Sequence, residues 1–143
     1  MRSCEFSVAS GERKTLIITV GNIRFFRKNN TTIPHHSNDI FSAYGVTITF
    51  VVQKNLHLFD SVTQENSGDR QLNPVALAAS LVWRIRAIPG SNDDTPICTY
   101  LDSTGKTSKI SQTQVLNYLR ATAFSIGVDK LGFSPMDIGN KSI

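Results

Sequence analysis

The feature that most restricts this chain is a change of period partway along it. From Val46 to Gln53 (VTITFVVQ) and again from Leu56 to Thr63 (LHLFDSVT), apolar and polar residues alternate as they do along a strand. From Pro74 to about Ile88 the apolar residues Val75, Ala78, Leu81, Val82, Ile85 and Ile88 instead fall at helical spacing. Lys54-Asn55 sits between the two alternating runs, which predicts a hairpin with Lys54 at its tip. Asn73 is placed to cap the helix and Pro74 to open it, because proline has no N–H to lose in a first turn. A sheet that precedes a helix, each with one apolar side, must bury one against the other.

The same reading extends in both directions. Lys14 to Val20 and Ile23 to Phe26 are rich in Ile, Val, Thr and Phe and are split by Gly21-Asn22, predicting a strand, a tight break and a continuation. Arg27 to Ser42 is polar and predicts a surface loop. After the helix, Pro89-Gly90 and the following polar residues form a stop, and Ile97 to Leu101 reads as a short strand or an extended link. Ser111 and Gln114 fit a capping box for a second helix with Val115, Leu116, Leu119, Ala123, Phe124 and Ile126 on its buried side, ended by Gly127 or Gly132. Ser134-Pro135-Met136-Asp137 signals a third helix, cut short at Ile143. The expected fold is α+β: a small three-stranded antiparallel sheet followed by a helical bundle, in a single domain over 1–143 with sheet residues 1–63 and helical residues 74–143.

A 143-residue chain with 40% hydrophobic residues is long and apolar enough for one packed core. Fifteen Lys and Arg against eleven Asp and Glu leave +4, and Arg2, Arg13, Lys14, Arg24, Arg27 and Lys28 place much of that surplus before Pro34. Such a stretch could track a polyanion's phosphates, although a solvated charged surface is the commoner meaning of such a cluster. Cys4 and Cys98 are far apart with no CxxC pair, which points to reduced thiols and neither a disulfide framework nor zinc. No apolar run reaches the length of a signal peptide or a membrane span. Other pieces have ordinary structural readings: His35-His36 as a polar loop without a third metal ligand, His57 as a surface or partly buried residue of a strand, and Trp83 with Arg84 and Arg86 as the rim of the core. Gly105-Lys106-Thr107 ends like a phosphate-binding loop, but the glycine needed five residues earlier is Tyr100.

Met1-Arg2-Ser3-Cys4-Glu5, Gly11-Glu12-Arg13-Lys14-Thr15, Asn22-Ile23-Arg24-Phe25-Phe26, Gln53-Lys54-Asn55, Ser67-Gly68-Asp69, Asn73-Pro74-Val75 and Leu131-Gly132-Phe133-Ser134 with Asp137-Ile138-Gly139 follow one another in a recognisable order. In that order they resemble the catalytic domain of tyrosine recombinases from eukaryotic mobile elements. The resemblance implies that Arg2 is the first catalytic arginine, that Glu5 steadies its turn, and that Lys54 protonates the leaving 5′ oxygen. Lys141 then stands where the family has a histidine, and the second arginine and the tyrosine nucleophile lie past Ile143. Tyr44, Tyr100 and Tyr118 do not occupy the nucleophile's position. It further implies DNA as the partner, gripped through phosphates by Arg13, Lys14, Arg24, Arg27 and Lys28, with no metal and no cofactor. An intracellular location follows, nuclear in a eukaryote, with oligomers on DNA in the complete family member. Without nucleophile and second arginine the expected chain is inactive and retains DNA binding at most. The alternatives are a non-catalytic DNA- or protein-binding module and a non-functional mobile-element remnant.

Overall fold

The computed structural model describes residues 17–52, 58–69 and 71–139. Its centre is a four-stranded antiparallel sheet of β1 (Ile23–Phe26), β2 (Thr32–Ile33), β3 (Gly45–Val52) and β4 (Leu58–Glu65), ordered β2-β1-β3-β4. The two alternating runs pair as predicted, with Val46 opposite Gln64 and Ile48 opposite Val62, and the last pair is Val52 with Leu58. Lys54 belongs to the connection between them and lies outside the described residues.

One face of this sheet is apolar because the alternation sets Ile23, Phe25, Val46, Ile48 and Phe50 on the same side. Against it packs helix α1 (Pro74–Arg86) through Val75, Ala79, Val82 and Ile85, forming a single buried cluster. Asn73 caps α1 as the sequence indicates, accepting from the N–H groups of Val75 at 3.1 Å and Ala76 at 3.3 Å. On the outer face, hydroxyls pair across the strands, Thr47 with Thr63 at 2.9 Å and Thr49 with Ser61 at 3.2 Å. Gly45 is required there, since a Cβ would collide with the Phe26 ring lying over it.

The sheet corrects the expected three strands. Arg27 to Ser42 is not all loop: Thr32–Ile33 pairs with Phe25 and Phe26, and a 3₁₀ turn at Asn38–Ser42 follows. The cause is two isolated apolar residues, Ile33 and Ile40, which bury fully although polar residues surround them. The strand expected over Lys14 to Val20 is corrected in its described part as well. Val20–Asn22 is a 3₁₀ turn, and Thr19 makes only an isolated bridge to Pro96. Ile18 and Val20 are buried there by backbone bonds to Ile97 and Thr95, at 3.0 and 2.9 Å, and not by a ladder.

Beyond α1 a two-stranded ribbon, β5 (Thr99–Leu101) with β6 (Thr107–Lys109), precedes α2 (Gln112–Ile126) and the short α3 (Val128–Leu131). The Ser111 capping box of α2 forms as expected, Ser111 accepting from Gln114 N at 3.2 Å and donating its own N–H to the Gln114 side chain at 2.8 Å. Gly127 follows α2 and opens α3 at φ 93°, and Gly132 ends α3 at φ 72°, values that glycine adopts without penalty. Ser134 caps as expected, but only a 3₁₀ turn, Pro135–Asp137, follows it. The buried side expected of α2 is corrected too: Leu116 and Ala123 are buried, whereas Leu119, Phe124 and Ile126 are exposed. No helix among the described residues is long and apolar enough to cross a membrane.

Candidate functional site

Of the residues singled out in the sequence, Arg2, Arg13, Lys14, Lys54 and Lys141 lie outside the described residues. So does the convergence of Arg2 and Lys54 on one phosphate, on which the resemblance turns. The other three stand on β1 and the turn after it. Arg24 is exposed on the outer face of the sheet, with its guanidinium carbon 5.7 Å from the centre of the Phe26 ring. That stacking braces a long side chain without using its hydrogen-bond donors. Arg27 is committed differently, ion-paired to Asp39 at 2.5 Å on an exposed surface. Lys28 is exposed in the β1–β2 turn, where Asn30 takes the left-handed conformation at φ 63°. Two of the three therefore present to solvent a charge with no ion-pair partner among the described residues.

Beside the β1–β2 edge opens a cleft of about 550 Å³, lined among others by Arg24, Thr32, His35, His36, Arg86 and Asp93. Four separate stretches of chain meet there. His35, in the turn after β2, places Nε2 2.6 Å from the Ile23 carbonyl oxygen, and its Nδ1 3.3 Å from Arg86 Nη2. A carbonyl only accepts and a guanidinium only donates, so Nε2 carries the proton and Nδ1 offers its lone pair. The imidazole is held edge-on to Phe25, ring centres 6.0 Å apart. Arg86, last residue of α1, is half-buried and also ion-paired through Nη2 to Asp93. Asp93 is fixed in turn because Gly21 donates its N–H to the Asp93 carbonyl at 2.8 Å. A Cβ at Gly21 would lie 3.1 Å from Asp93 Cβ and O, so glycine permits this close approach.

Arg86 is held through Nη2, and among the described residues no acceptor forms a hydrogen bond with its Nε–H or Nη1 donors. The site thus consists of an arginine clamped at one corner, a second, braced arginine, and an exposed histidine, His36. Two arginines against one aspartate leave a net positive charge. Such an arrangement can bind an oxyanion through charge-assisted hydrogen bonds. Among the described residues no group of three or more His, Cys, Asp or Glu is placed to hold a metal.

Sequence reasoning found Arg24 but missed the rest of this cleft. His35 does lie in a turn, as read, but its pairing with Arg86, read as core rim, was not foreseen, the two being 51 residues apart. The one local signal is the spacing of Arg86 and Asp93 across the Pro89-Gly90 turn, which returns the chain towards the helix end. Trp83, also assigned to the rim, is exposed and meets Phe41 edge to face at 5.8 Å.

Four perturbed groups lie elsewhere. The Glu65 carboxylate, 2.8 Å away, accepts the Tyr44 phenol proton and pushes that phenol above its usual range. The backbone N–H groups of Leu72 and Gln71 hold the Asp69 carboxyl below its usual range, and the Thr104 hydroxyl leads a similar set around Asp102. Burial pushes the Cys98 thiol up, the mark of an inert structural cysteine. None of the four lines the cleft. Comparison with family models, with curated proteins and with solved structures finds no match to this chain.

Proposed function

We propose that the chain carries a phosphate-gripping part of a DNA strand-exchange domain of the tyrosine-recombinase type, which binds the backbone of duplex DNA. The observation that carries the reading is the β3–β4 ladder, which stays paired as far as Val52 and Leu58. Those partners bracket the segment containing Lys54, the residue for which the resemblance implies contact with the leaving oxygen. A strand connection is able to enter a groove beside a phosphate, which a core position is not. Arg24 and Lys28 add exposed charge on a neighbouring strand and turn. The order of elements, sheet first and helices after, agrees with the same family.

Binding by phosphates makes a quantitative demand. Each neutralised phosphate releases counterions, so affinity falls steeply with salt and shows no sequence preference. Titrating a labelled duplex at about 50 and about 200 mM salt is expected to give binding that weakens by about 10-fold or more for even a few contacts. Lys54→Ala is expected to weaken it further without altering the fold. Absence of binding at the lower salt would end the DNA reading.

A further inference from the structure

We propose that the cleft between the β1–β2 edge and the end of α1 is a phosphate-binding site, in which Arg86 is the fixed donor and Arg24 and His36 close on the same group. The proposal rests on the DNA reading for one of its two sources of phosphate, the nucleic-acid backbone; a free nucleotide is the other.

Arg86 carries the inference. A surface arginine spreads over many rotamers, and ordering it opposes binding. Here the ordering is already done: Asp93 and the lone pair of His35 both engage Nη2, and His35 is itself anchored to the Ile23 carbonyl at 2.6 Å. With Nη2 engaged, Nε–H and the Nη1 hydrogens remain as separate charge-assisted donors, each able to reach one oxygen of a phosphate. Half-burial of the guanidinium lowers local screening, so its attraction for an oxyanion exceeds that of an exposed lysine. Arg24 reaches the cleft from β1, braced by the Phe26 ring face, and among the described residues its donors make no hydrogen bond. The volume of about 550 Å³ falls within the range of about 300–1,000 Å³ common to small-molecule sites, so a whole nucleotide is accommodated. Asp93 opposes anions, yet it is spent on Arg86, and its removal supplies a test that a purely structural ion pair would fail.

Adenosine 5′-monophosphate serves as the free phosphate and a labelled duplex oligonucleotide as the backbone, both with the full chain at neutral pH and low salt. The monophosphate is expected to displace the duplex. Arg24→Gln and His36→Gln, both at exposed positions, are expected to weaken each ligand, Arg24→Gln by about 10-fold. Asp93→Asn keeps an oxygen for Arg86 and deletes the negative charge, so it is expected to tighten both ligands by about 3-fold. A structural role alone predicts loosening of Arg86 and weaker binding. If the duplex binds while the monophosphate does not compete and all three variants match the wild type, the cleft proposal is overturned and the DNA reading stands. If the monophosphate binds and responds to the variants while the duplex does not bind, the cleft stands as a free-phosphate site and the DNA reading falls. If neither ligand binds, both are overturned.

Discussion

The sheet with α1 and the helices after Lys109 are built from similar proportions of apolar residues but spend them differently. Around the sheet, Phe25, Ile33, Ile40, Val46, Val75, Val82 and Ile85 are essentially removed from solvent in one cluster. In the C-terminal helices only Leu116 and Ala123 reach that state, while Tyr118, Phe124 and Met136 remain 75%, 79% and 70% exposed. The difference is one of partners. The apolar side of α1 faces a sheet whose alternation supplies a matching surface, whereas among the described residues α2 packs mainly against short elements, α3 and the turn at Pro135–Asp137. Amphipathic spacing creates a stripe, and a second surface is needed to turn that stripe into stability.

Truncation of core residues breaks or sharpens this contrast most strongly. Phe25 lies at the centre of the cluster, and Phe25→Ala removes a whole ring from between β1 and α1. A loss of about 3–5 kcal/mol is expected, read by urea unfolding with fluorescence of Trp83, the chain's single tryptophan. Phe124→Ala removes the same ring from a solvated face and is expected to change stability by less than about 0.5 kcal/mol. A cost above about 2 kcal/mol for Phe124→Ala, dependent on protein concentration, would mean that another molecule covers the helices in solution.

These residues also show how far the sequence was legible. Helix α1 was readable from its start, because its cap, its opening proline and its apolar spacing are local and agree, although it ends at Arg86, before the expected Ile88. The β3–β4 hairpin was readable for the same reason. Strand β2 was not: two residues inside a polar stretch carry no period, and their pairing is dictated by β1 and by the burial of Ile33. The exposure of Phe124 was equally hidden, since spacing says which residues share a side and nothing about whether that side is covered. At the cleft, Arg24 stood out as part of a basic run. Its companions did not, because His35, Arg86 and Asp93 meet only once β1, β2 and α1 have assembled. Arg27 belonged to the same run, yet Asp39, brought back by the turn after β2, neutralises it.

Helix caps give a smaller test in the same pair of regions. Asn73 is buried and does three things: it accepts from Val75 N and Ala76 N, and it donates through Nδ2 to Asn66 Oδ1 at 2.7 Å. Asn73→Ala strands those groups where water reaches poorly, and a cost of about 1–2 kcal/mol is expected. Ser111 caps α2 at a more open position, so Ser111→Ala is expected to cost about 1 kcal/mol or less. Equal costs at the two caps would show that α2 is as firmly docked as α1.

The smallest effect is one of pH, and it asks whether the two regions unfold together. Asp69, just ahead of α1, accepts from Leu72 N and Gln71 N, both at 2.7 Å. Asp102, in the β5–β6 turn, accepts from the Thr104 hydroxyl at 2.6 Å and from the N–H groups of Lys106 and Thr104. Both carboxyls are thereby held below their usual range. A carboxyl depressed in the folded state adds stability that is fully present above its unfolded value, and that contribution is lost as pH falls through the folded one. Stability is therefore expected to decline as pH drops below about 4. Asparagine keeps the accepting oxygen without the titration, so Asp69→Asn should flatten the acid limb of the Trp83 unfolding curve. If the ribbon and α2 melt independently, Asp102→Asn leaves that curve unchanged and shows only in faster exchange of the Thr104 and Lys106 amides. An equal flattening by both variants would mean that the weakly buried helices and the sheet core share one cooperative transition, tied by the backbone bonds of Ile18 and Val20 to Ile97 and Thr95.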